Sequence, residues 1–251
     1  MQRQYRPGRT LLRCMGEEHG VKTAVNDQAD GLRRLMAVSP GRRVAVVGCE
    51  YAGVAVVTRT LAAALVQEGK DVLLFDEHGN NQIRGAQGAS KVVMIHAKLD
   101  VHGALSPLAA QSDHILVVLQ PHAAAIKATY VCIKKLHGTH TLERMRVLVD
   151  GAADAIEAKI ILANLADTAR RYLSLALEPA GWVRADPHLA RSQRLNVTVV
   201  DAFGSSPAAM DYRQVAKGLL HWPQLRSYNQ SGAQRTAAAA GPRWACEPAL
   251  H

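Results

Sequence analysis

Residues Arg43-Val-Ala-Val-Val-Gly48 and the run Cys-Glu-Tyr-Ala-Gly-Val-Ala-Val-Val-Thr58 behind them decide the fold. The first six form an unbroken apolar run of strand length. The following loop opens into Val54 to Glu68, where Leu61, Ala64 and Leu65 recur at helical spacing. Gly69-Lys70 ends that helix, and Asp71-Val-Leu-Leu-Phe-Asp76 is a second apolar run. Neither strand alternates apolar with polar residues, as expected when a sheet is covered on both faces. Two such strands joined by one helix make a βαβ unit.

Working outward, further strands are predicted at Lys91–His96, His114–Leu119, Arg146–Val149 and Leu177–Val183. Helices are predicted at about 101–111, 122–137, 153–174 and 206–220. The alternation predicts an α/β chain: a doubly wound, three-layer, mostly parallel sheet with helices on both faces. Composition agrees, because hydrophobic residues make up 48% of the 251 residues but aromatics only 4%. A core of Ala, Val and Leu suits a sheet packed under helices.

Four segments are expected: a basic arm at 1–26, a short helix at 27–36, an α/β domain at 42–222 and a loose tail at 223–251. The arm has no apolar period around Pro7, Gly8, Gly16 and Gly20, and the tail is interrupted by Pro223, Gly232, Gly241 and Pro242. In the short helix, Ala29, Leu32, Leu35 and Met36 form one apolar stripe behind an Asp27 cap.

The formal charge of +9 sits mostly in the ends, with +5 in residues 1–43 and +2 in 221–251. A nucleic-acid groove on the fold itself is therefore not expected. Cys14, Cys49, Cys132 and Cys246 form no CxxC pair and accompany no leader, so a reduced, cytoplasmic setting is expected. No apolar run approaches the ~20 residues that span a bilayer.

The loop after the first strand occupies the place of a phosphate-binding loop. It resembles the deviant KGGVGKTT loop of the MinD/ParA ATPases, with Gly53-Val54 matching its GV. On that match Tyr51 stands at the signature lysine, Val56 at the lysine that contacts the β/γ-phosphates and Val57 at the Mg²⁺-binding hydroxyl. Ala52 and Ala55 complete the loop, and Thr58 alone survives of the polar set. Valine neutralises no phosphate charge and ligates no metal.

Three other family positions have changed. Asp76 matches the first Asp of the family's Asp-Ala-Asp run, but His78 replaces the second. His96 closes the strand that ends in Asp-Thr in the family. Asp150 stands where the family has an adenine-pairing Asn, and can only accept hydrogen bonds when ionised. Between Gly79 and Ser90 the chain is shorter than in relatives, which usually insert several elements there. His78, His96 and Asp76 would lie near one another, yet no ligand spacing supports a metal centre, and none is expected.

Asp27-Gln28-Ala29-x-x-Leu32-Arg33 matches in full the DQAxxLR activator motif that precedes the ATPase domain of FlhG/FleN proteins. Ser112–Pro121, Leu177–Pro187 and Val199–Ala209 resemble later stretches of the same family. The resemblance spans roughly residues 27–222. It implies a regulator of flagellar number or placement whose Asp27–Met36 helix stimulates an FlhF-type GTPase. Flagellar switch-complex proteins or a flagellar transcription activator are further expected partners. The family uses ATP and Mg²⁺, but no cofactor is expected here, and no C-terminal membrane helix is readable. The alternative is a residual ATPase, flagellar or associated with DNA partition or cellulose secretion.

Overall fold

In the computed structural model the described residues are 41–49, 51–78 and 91–223. The arm, the segment carrying Asp27, Gln28, Ala29, Leu32 and Arg33, and the tail beyond Pro223 lie outside them.

Six strands form one sheet: β1 (Arg42–Gly48), β2 (Asp71–Asp76), β3 (Lys91–His96), β4 (His114–Leu119), β5 (Arg144–Ala152) and β6 (Ala176–Arg184). Their order is β2-β3-β1-β4-β5-β6 and every pairing is parallel. The helices are α1 (Tyr51–Gln67), α2 (Pro107–Ala110), α3 (Ala123–His140), α4 (Ala155–Leu173), α5 (Pro187–Arg194), α6 (Val199–Ala202) and α7 (Pro207–Leu220). The predicted α/β architecture with a parallel sheet is what forms.

Strand alternation splits the core into two layers. Val44, Val46, Val72, Leu74, Met94 and Leu116 pack with Leu61 and Leu65 of α1 and with Tyr212, Val215 and Leu219 of α7. Ala45, Val47, Ile95, Val117, Leu119 and Val149 are also buried, as are Ile133 and Leu136 of α3 and Leu165 of α4. The latter helices contact β4, β5 and β6. Fully burying each Val or Leu side chain is worth about 1.5–3 kcal/mol, so both faces of the sheet are load points for stability.

Two sequence expectations need correction. The helix predicted at 101–111 shrinks to the four residues of α2. Asp100 Oδ1 accepts the His102 and Ala104 backbone N–H groups at 2.8 and 2.7 Å, turning the chain through Gly103 at φ +86°. Ser106 and Pro107 then restart it as N-cap and first residue. Conversely, neither the four-residue α6 nor α5 was predicted, the latter because Pro187–Arg194 is polar and has no apolar stripe. Its signal is the Asp186-Pro187 start, where the Asp186 carboxylate accepts the His188 N–H at 2.8 Å. A second carboxylate oxygen of Asp186 accepts the Ala208 N–H at 3.0 Å, joining the starts of α5 and α7.

Candidate functional site

The site predicted at the carboxyl ends of the strands is built from the β1–α1 junction, the ends of β2 and β3, and the end of β5. β1 stops at Gly48 and α1 begins at Tyr51. Tyr51, Ala52, Gly53, Val54, Ala55, Val56, Val57 and Thr58 therefore all lie in helix. From Ala55 onward their N–H groups are positioned for bonds to carbonyls four residues back, so only those of the first turn are left without an intrahelical partner.

Three of the described side chains face inward. Val54 and Val57 are buried in the core, and Thr58, fully buried, donates its hydroxyl to the Val54 carbonyl at 2.7 Å. The surviving polar residue of the loop is thus bonded within its own helix. Val56 and Ala55 are half-buried and offer no charge. Gly48 is needed for the close approach of strand and helix, since a Cβ there would lie 2.5 Å from Val54 Cγ2. The small cleft above is lined by Cys49, Gly53, Val54, Val118, Gln120, Ala125 and Thr129. These residues supply neither a cation nor a carboxylate, so they do not fit a nucleotide with Mg²⁺. Cys49 and Cys132 are unpaired, and burial pushes the Cys132 thiol up to about 12.

At the ends of β2 and β3, Asp76 and His96 are register partners, and His78 follows two residues after Asp76. Asp76 Oδ1 accepts the His78 backbone N–H at 3.0 Å and lies 3.0 Å from His96 Nδ1 and 3.4 Å from His78 Nδ1. The two imidazoles stack with centroids 4.5 Å apart. His96 is buried, and burial holds its pKa below the usual histidine value. Asp76 opposes that shift, while His78 and Arg59 reinforce it. Next to this group, Glu77 accepts the Lys98 backbone N–H at 2.9 Å and the Ser106 hydroxyl. The proximity of Asp76, His78 and His96 was legible in the sequence; their convergence on one oxygen was not.

Asp150 at the end of β5 accepts the hydroxyl of the buried Tyr212 of α7 at 3.0 Å. Burial raises its pKa, and the Tyr212 bond only partly opposes this. Sequence reasoning missed Tyr212, which lies 62 positions away. A raised folded-state pKa favours the protonated form, so the contribution of Asp150 is greatest below its ordinary pKa and is lost as pH rises through the folded value. Asp150→Asn keeps an acceptor for Tyr212 and removes the buried charge. It is expected to raise stability at pH 7 by on the order of 1 kcal/mol and to flatten the pH dependence of urea unfolding above pH ~4. A loss of stability at pH 7 would contradict that account.

No family profile matches the chain. The antiactivator FleN of Pseudomonas aeruginosa is 27% identical over 191 residues, covering 66% of this chain and 68% of that protein. Among solved structures, MinD of Aquifex aeolicus superposes with a TM-score of 0.53 over 72% of this chain and 98% of its own, at 12% identity. The Aquifex aeolicus MinC:MinD cell division complex gives 0.55 over 75% of this chain and 100% of its own, at 14% identity. MinD of Pyrococcus horikoshii, determined with Mg-ADP, gives 0.52 over 77% and 98%, at 9% identity. At these identities the structures speak for the fold alone. The chain is thus similar in sequence to FleN, at 27% identity, and shares its fold with the MinD proteins.

Proposed function

We propose that the chain regulates flagellar number or placement by binding proteins, without hydrolysing ATP. The observation that supports this reading is the helix beginning at Tyr51, which contains Val56 and Val57, the residues that the sequence resemblance matches to the family's lysine and metal-binding hydroxyl. What remains of the family's equipment is the interaction segment Asp27–Arg33. In this reading its helix docks through Leu32 and Leu35 on an FlhF-type GTPase while Gln28 and Arg33 complete or order the partner's catalytic site. A flagellar transcription activator is a second partner, by analogy with the antiactivator FleN; switch-complex proteins are a third. The described residues contain no helix long and apolar enough to cross a membrane, and the proposed setting is the cytoplasm.

The test is GTP hydrolysis by the FlhF-type partner with the full chain added. Stimulation is expected to be the same with and without ATP and Mg²⁺, and to fall at least tenfold, or about 1.4 kcal/mol, for the double variant Gln28→Ala, Arg33→Ala. Stimulation that requires ATP would favour a residual ATPase, and stimulation unchanged in the double variant would refute the helix mechanism.

A further inference from the structure

We infer that Asp76, His78 and His96 form a binding site for a divalent transition-metal ion of the Zn²⁺ type. This goes beyond the regulatory reading and does not depend on it. One ligand atom from each residue lies within 4.8 Å of the other two. The arrangement follows from the backbone. Asp76 and His96 are paired positions on adjacent parallel strands, so their side chains share one face of the sheet. His78, two residues further on, continues beyond the end of β2 toward the same group and stacks on His96.

The spacing suits such an ion. Zinc holds imidazole nitrogen at ≈ 2.0–2.1 Å and carboxylate oxygen at ≈ 2.0–2.2 Å, which sets tetrahedral donor atoms about 3.3 Å apart. Asp76 Oδ1 already lies 3.0 Å from His96 Nδ1 and 3.4 Å from His78 Nδ1. Binding requires the stacked rings to splay so that both Nδ1 lone pairs converge on the ion, with each ring in its Nε2–H tautomer. Two imidazoles and one carboxylate select a borderline transition metal over Mg²⁺, which demands oxygen ligands. Three protein ligands leave a fourth position open to water or an exogenous donor. His96 is buried while His78 is exposed, so one side of the site is fixed in the sheet and the other is accessible from solvent.

The experiment is calorimetric titration of the full chain with Zn²⁺, with Mg²⁺ as a parallel arm, followed by Co²⁺ addition monitored by visible absorption. Expected results are one Zn²⁺ per chain at micromolar affinity, no Mg²⁺ heat, and four-coordinate Co²⁺ bands displaced by Zn²⁺. His78→Ala changes an exposed side chain, and a folded variant is verified by circular dichroism. It should weaken Zn²⁺ at least tenfold and abolish the Co²⁺ bands, as should Asp76→Asn. Because the chain has 11 histidines, His188→Ala serves as the control and should leave the affinity unchanged. Zn²⁺ binding weaker than millimolar, or equal in wild type and His78→Ala, would overturn the assignment.

Discussion

Replacing Arg42 by alanine is expected to destabilise the protein by about 3 kcal/mol, lowering the Tm by roughly 6–12 °C for a domain of this size. Arg42 opens β1, the strand at the centre of the sheet, yet its buried guanidinium reaches the far end of α7. It donates to the Leu219 carbonyl and to the Trp222 carbonyl, the latter at 2.7 Å. The last carbonyls of a helix lack intrahelical partners, and a cation suits that end of the helix dipole. Burial lowers the Arg42 pKa and Asp113 partly offsets this, while Arg146 adds to the lowering. Arg146 in turn stacks over Trp222 at 4.4 Å and pairs with Glu178 at 2.5 Å. Truncating Arg42 removes the guanidinium from both carbonyls; that of Leu219 keeps the Trp222 N–H at 3.2 Å, so the larger loss falls at the Trp222 carbonyl. Arg42→Lys supplies a charge without the fork and should recover about half of the loss. Thermal unfolding of the three proteins measures this directly. A change below about 1 kcal/mol for alanine would mean that solvent replaces the guanidinium at no cost.

Gly181→Ala is expected to cost about 3 kcal/mol, in two separable parts. Gly181 has φ +137°, a conformation that residues with a Cβ rarely adopt. A Cβ there would also fall 2.7 Å from Val215 Cγ2 in the buried seam between β6 and α7. The position lies at a register shift, where Val147 pairs with Pro179 but Leu148 pairs with Gly181, leaving Ala180 bulged. Urea midpoints should fall with an unchanged slope. Adding Val215→Ala relieves the collision but not the torsion, so the double variant should show a favourable coupling of about 1 kcal/mol or more. Strict additivity would show that Val215 moves aside freely.

The sheet was legible because its strands are continuous apolar runs, and α1, α3, α4 and α7 because their apolar residues repeat with helical period. α5 was not, since a capping carboxylate and a proline start it while its residues His188 to Arg194 carry little apolar periodicity. The prediction at 101–111 is overlong because the Asp100 side chain turns the backbone first. At the site, Val56, Val57, His78, His96 and Asp150 are singled out only by the resemblance to the family pattern. Their surroundings could not be read from it. That Tyr212 reaches Asp150 and that His96 and His78 share one oxygen of Asp76 are products of packing between separate segments.

The irregular end of the sheet also bears on solubility. Among the described residues β6 is an edge strand, and an edge with free N–H and C=O groups invites pairing with another molecule. Pro179 brings no N–H to that edge, the bulge at Ala180 breaks the repeat, and Gly181 turns the backbone away from extended geometry. A foreign strand would meet no continuous ladder here, the kind of irregular edge that disfavours sheet-to-sheet pairing.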